Sequence, residues 1–86
     1  MKFKQLETIF ESTPQLPYEQ NQFRLREGFR VLFDLFEESD GLAADHEQIW
    51  YGSIEDILDK IKAEDAMYLA ERGWFIDEGS FSHFTN

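Results

Sequence analysis

Between Phe23 and Phe36 the chain places apolar residues at helical spacing around most of a circumference. Leu25, Phe29, Leu32, Phe33 and Phe36 fall at i, i+4, i+7, i+8 and i+11, and Phe23, Val31 and Leu35 widen the stripe. A helix this broadly apolar has to be enclosed by the rest of its domain. The remaining residues are therefore expected to wrap around it. Pro17 lies ahead of it, near a first turn where a missing N–H is harmless. Ser39-Asp40-Gly41 ends it. Gly28 inside it costs about 1 kcal/mol against Ala, and the expected reason is the close approach of another helix. Arg30 and Asp34 are spaced for a local i, i+4 ion pair.

Shorter patterns flank this helix. Phe3, Leu6, Ile9 and Phe10 predict an amphipathic helix over Lys2 to Ser12, broken by Thr13-Pro14 and Leu16-Pro17. After Gly52, Ser53 and Asp56 resemble a capping box that opens a third helix, with Ile54, Ile57, Leu58 and Ile61 inward. Ala63-Glu64-Asp65 continues that helix or bends it into a fourth segment carrying Ala66, Met67, Leu69 and Ala70, and Arg72-Gly73 is the stop. Asp45 to Trp50 fits a helical turn, and Gln48 to Tyr51 fits a short extended piece equally well. Residues 74–76 fit a strand or a docking segment. Gly79 to Asn86 reads as irregular, although Phe81 and Phe84 call for burial. The predicted fold class is mainly α: a single acidic helical domain over residues 1–86, of three to four helices, with a short extended segment at 48–51 or 74–76 as the variant.

Eighty-six residues without a Cys must fold on packing alone, or with a partner or ligand. Fourteen aromatic residues supply the bulk for that. Met1 to Phe10 has no apolar core of a signal peptide, and no apolar run approaches the ~20 residues that span a bilayer. The expected location is the cytoplasm of the producing or host cell, with no membrane partner.

Charge is distributed unevenly. Residues 1–30 carry five cations and four acids, and residues 60–86 carry three cations and five acids. Residues 31–59 carry nine acids and no cation: Asp34, Glu37, Glu38, Asp40, Asp45, Glu47, Glu55, Asp56 and Asp59. Solubilising faces ordinarily mix signs, and like charges at this density repel one another. The net charge of −10 argues against direct binding to nucleic acid. It favours a basic protein surface as partner. Nine carboxylates match the charge of roughly 15 Å of duplex, so they suit the Arg and Lys groups of a nucleic-acid site. Trp50, Tyr51 and Trp74 are the candidate aromatic anchors, with burial in the core as the alternative.

Catalysis finds little footing. Ser80, Ser82 and His83 are neighbours in sequence, whereas a nucleophile, its base and an orienting group usually come from separate elements. His46 lies between Asp45 and Glu47, but only one other His and no Cys could join it around a metal. Calcium-loop spacing fails from Asp34 and from Asp40. No Gly-rich phosphate loop is present. No enzyme activity, cofactor or metal is expected.

In size, acidity and lack of Cys the chain is similar to phage-encoded DNA-mimic inhibitors and to the immunity proteins that neutralise nuclease toxins. No motif ties it to one family. The resemblance implies a stoichiometric inhibitor that occupies the nucleic-acid site of a nuclease or another DNA- or RNA-binding protein, as anti-restriction or anti-CRISPR factors do. The alternative is a non-enzymatic regulatory or structural module that binds a protein partner, or itself as a homodimer, through an apolar aromatic face.

Overall fold

The computed structural model describes residues 1–17, 20–36 and 41–85. Helix α1 runs Phe3–Ser12 and α2 runs Asn21–Leu35. Strands β1 (Leu42–Asp45) and β2 (Gln48–Tyr51) form a hairpin. A 3-10 turn, Ile54–Ile57, leads to α3 (Ala63–Glu71), and β3 (Phe75–Asp77) and β4 (Ser80–Phe84) form a second hairpin. Strand β4 pairs with β2, which gives one antiparallel sheet in the order β1-β2-β4-β3.

The fold is thus α+β, and the mainly α expectation is corrected. All four strands are three to five residues long, too short for a period of two to stand out from a helical turn. Gly79 to Asn86 is likewise not irregular through most of its length, because Ser80–Phe84 is β4. Glu78 (φ 51°) and Gly79 (φ 75°) both adopt left-handed backbone. Two such residues between paired Asp77 and Ser80 make the primed turn that joins twisted strands tightly.

The third predicted helix is also corrected. Ser53 makes no side-chain cap, and only the 3-10 turn Ile54–Ile57 forms, with the Asp56 N–H donating to the Ser53 carbonyl at 3.1 Å. The regular helix begins at Ala63, after the Asp65 carboxylate accepts the Lys62 N–H at 3.1 Å. It ends in a Schellman arrangement: the Gly73 N–H donates to Ala70 O and the Trp74 N–H to Leu69 O, both at 3.1 Å, with Gly73 at φ 83°.

The helices cover one face of the sheet. Leu6, Leu32, Leu35, Ile49, Tyr51, Ile54, Leu69, Trp74 and Phe81 join one buried cluster. Phe29, Phe33 and Phe36 of the central helix and its end all meet the Tyr51 ring edge to face, or stack on one another, at centroid distances of 5.5 to 5.9 Å. Gly28 does mark a close approach, but of an indole rather than a helix. A Cβ there would fall 1.9 Å from Trp74 Nε1, and that nitrogen donates to the Arg24 carbonyl at 3.0 Å. Trp74 is 2% exposed, so it is a core residue and not a surface anchor. Arg30 turns back to Glu27 at 3.3 Å instead of pairing with Asp34.

Gly28→Ala should therefore lose stability despite the better helix propensity of Ala. Overpacking against a fixed ring typically costs 1–3 kcal/mol, which outweighs the gain of about 1 kcal/mol in propensity, so a net loss of about 1 kcal/mol is expected in urea denaturation. A gain of about 1 kcal/mol, the value for an unobstructed helix position, would contradict the seating of Trp74.

Candidate partner-binding surface

The acidic residues are carried by several elements and gather in distinct places. The first is a cleft of about 660 Å³ lined by Phe3, Gly41, Gly52, Ser53, Glu55, Asp56, Glu78, Gly79 and Ser80. The Ile54 N–H donates to the Gly79 carbonyl at 2.9 Å, which fastens the 3-10 turn to the β3–β4 turn. That bond brings Glu55 and Asp56 beside Glu78. Among the described residues, three carboxylates and no cation line the cleft. Its glycines leave room: among the described residues, nothing lies within 4 Å of a Cβ built at Gly41 or Gly79. Gly52, at φ 70°, is different, because the Phe36 ring lies 2.4 Å from its would-be Cβ and holds the backbone against the core.

The second place is a cleft of about 330 Å³ between α2 and α3, lined by Arg30, Val31, Asp34, Leu35, Glu64, Asp65 and Tyr68. Asp34 therefore joins Glu64 and Asp65, not Glu55 and Asp56. The third is the β1–β2 hairpin, where Asp45 and Glu47 are exposed and Asp45 Oδ1 accepts the His46 N–H at 2.7 Å. Asp59 is exposed between the 3-10 turn and α3. Glu37, Glu38 and Asp40 lie outside the described residues. The acids of 31–59 thus do not converge on one cleft, and the acids that complete the two clefts, Glu78, Glu64 and Asp65, come from the last third of the chain. Their signals in sequence were the Glu78-Gly79 pair between Asp77 and Ser80, and the acidic first turn of α3.

Trp50 and Tyr51 separate because adjacent strand residues point to opposite faces. Tyr51 is 3% exposed inside the aromatic cluster, which removes its ring from the surface. Trp50 is half-buried on the other face, where its Nε1 donates to Asp77 Oδ2 at 2.9 Å. The Gln48 amide donates to the same Asp77 oxygen at 3.0 Å and to Ser82 Oγ at 2.7 Å. Asp77 is thus engaged by two neutral donors. His46 is exposed on the hairpin turn. His83 is 3% exposed. Its ring nitrogens lie 2.6 Å from Phe84 O and 2.8 Å from Arg72 O. Those contacts give it a structural place between β4 and the end of α3, and Ser80 and Ser82 make no triad with it. Among the described residues, no group of three or more His, Cys, Asp or Glu is arranged to hold a metal. Among the same residues, no helix is long and apolar enough to cross a membrane.

One carboxylate is tuned by its surroundings. Tyr68 of α3 donates its hydroxyl to Glu27 Oε1 of α2 at 2.7 Å, and this bond holds the Glu27 carboxyl below its ordinary range, helped by Arg30 and Arg26. The same group of contacts holds the Arg30 guanidinium above its usual value. Because the folded carboxyl is the stronger acid, its stabilisation is present above the unfolded carboxyl's range and is lost as pH falls through the folded value. Tyr68→Phe should therefore lower unfolding free energy at about pH 6, and the deficit should shrink towards about pH 3. Urea denaturation at both pH values measures it, and an unchanged deficit would argue against the Tyr68–Glu27 bond as its source.

No family model matches the sequence, and no curated protein or solved structure shows a significant match to the chain.

Proposed function

We propose that the chain is a stoichiometric binding protein whose acidic clefts receive Arg and Lys side chains of a basic protein surface, such as the nucleic-acid site of a nuclease. The observation that carries this reading is the cleft of Glu55, Asp56 and Glu78, concave and, among the described residues, without a cation in its lining. Carboxylates on such a wall attract a guanidinium or ammonium group and speed its encounter. A guanidinium can take two carboxylate oxygens at once, and the glycine-lined floor gives it space. The split of the acids between clefts sharpens the reading. It describes discrete basic-residue sockets, with the remaining carboxylates steering the approach, in place of one continuous duplex-like face.

The test replaces Glu55, Asp56 and Glu78 by Lys and compares the variant with a Glu7→Lys/Glu11→Lys control of similar charge. Immobilised wild type should capture nucleic-acid-binding proteins from a cell lysate at about 50 mM salt, and added duplex DNA or RNA should release them. The control should retain most capture and the triple variant should lose it. Capture that survives the triple replacement, or that nucleic acid does not displace, would contradict the proposal.

A further inference from the structure

The exposed side of α2 has a composition of its own. Successive residues advance about 100° around a helix, and Gly28, Val31, Leu32 and Leu35 occupy the buried side. Arg26 and Arg30 lead the opposite side, with side chains 72% and 57% exposed. Phe29 and Phe33 follow one flank of this stripe with rings stacked 5.5 Å apart, and Phe33 is 57% exposed. Arg30 and Asp34 follow the other flank, one turn apart. The apolar surface continues onto β1, because Leu42, also 57% exposed, pairs with Tyr51, and the Tyr51 ring lies 5.6 Å from Phe33. Leaving two such large side chains open in so small a chain points to an interface.

We infer that this stripe is the interface of a homodimer in which the two α2 helices lie antiparallel across a two-fold axis. A two-fold interface must be self-complementary: if residue i meets residue j of the partner, j meets i. The stripe meets that requirement. In an antiparallel pair each flank faces the same flank of the partner helix. One flank then stacks Phe29 and Phe33 on the partner's Phe33 and Phe29. The other flank places each Arg30 against the partner's Asp34, twice. Asp34 has no ion-pair partner among the described residues, and it shares its cleft with Glu64 and Asp65. That cleft carries three carboxylates against one guanidinium, so a second Arg30 corrects its balance. Within its own chain Arg30 meets Glu27 through Nε at 3.3 Å and lies 5.5 Å over the Tyr68 ring, and its 57% exposed five-donor fork has further N–H groups to offer a partner. A second copy fits better than an unrelated acidic segment, since one helix supplies both signs at the spacing that reversal requires. The inference does not rest on the binding reading above and uses none of Glu55, Asp56 or Glu78.

Sedimentation velocity of the full chain at about 100 μM should give a species of twice the 10.2 kDa chain mass. Arg30→Asp alone and Asp34→Arg alone each place like charges at both contacts, and each should weaken the dimer by about 100-fold or more. Mixed in equal amounts, the two variants restore both opposite-charge contacts and should form a heterodimer. Phe33→Ala should be monomeric with an unchanged far-ultraviolet dichroism signal. The mixing arm separates a broken interface from a broken fold, because misfolded chains do not rescue one another. A wild type that stays monomeric to about 1 mM, single reversals that leave the dimer intact, or a mixture that remains monomeric would each overturn the inference.

Discussion

The Trp74 indole occupies the space that a side chain at position 28 would fill, and its N–H satisfies the Arg24 carbonyl on the same helix. This contact ties together parts that are distant in sequence. Through its backbone, Trp74 closes the end of α3. Through its ring, it meets Phe29 of α2 at 5.4 Å and His83 of β4 at 5.0 Å. A large aromatic with one polar atom suits such a junction, because it buries much apolar area while its N–H finds an acceptor. The missing Cβ at Gly28 is the condition for all of it. With α2, α3 and β4 so joined, β4 can pair with β2, and the sheet and the turns at its end follow.

Those turns create the acidic cleft. The β3–β4 turn needs left-handed backbone at two successive positions, and one of them is Glu78 rather than Gly or Asn. A side chain there is uncommon. Its effect is to hold a carboxylate at the mouth shared with Glu55 and Asp56. Strand pairing, turn geometry and one backbone bond to the 3-10 segment therefore set where three negative charges meet.

The long elements were legible in the sequence and the short ones were not. Helices α1 and α2 contain ten and fifteen residues, enough turns for the 3.6-residue period to show in Phe3, Leu6, Ile9 and Phe10 and in Leu25 to Phe36. Strand β1 has four exposed residues, Leu-Ala-Ala-Asp, so no alternation of burial could reveal it. Strand β4 buries Ser82 and His83 through hydrogen bonds to Ile49 O, Phe84 O and Arg72 O. Hydropathy cannot register burial of that kind. The same short strands account for the site. Reading 48–51 as a strand separates Trp50 from Tyr51 by face, and reading the Glu78-Gly79 pair as a hairpin turn brings Glu78 towards the 3-10 segment. The acidic excess of residues 31–59 was plain in the sequence, but its division between clefts depends on tertiary contacts at Gly79 and on the packing of α3 against α2.

The central claim is that the concave acidic wall, and not negative charge in general, recognises basic side chains. It is tested most directly by a titration of the uniformly nitrogen-15-labelled chain with a short arginine-rich peptide, followed amide by amide in two-dimensional NMR. The account predicts the largest saturable shifts at Ser53, Glu55 and Asp56 and at Glu78 to Ser80, with small shifts on α1 beside the exposed Glu7 and Glu11. Shifts spread over all exposed carboxylates alike, or centred on the β1–β2 hairpin with the cleft silent, would contradict it.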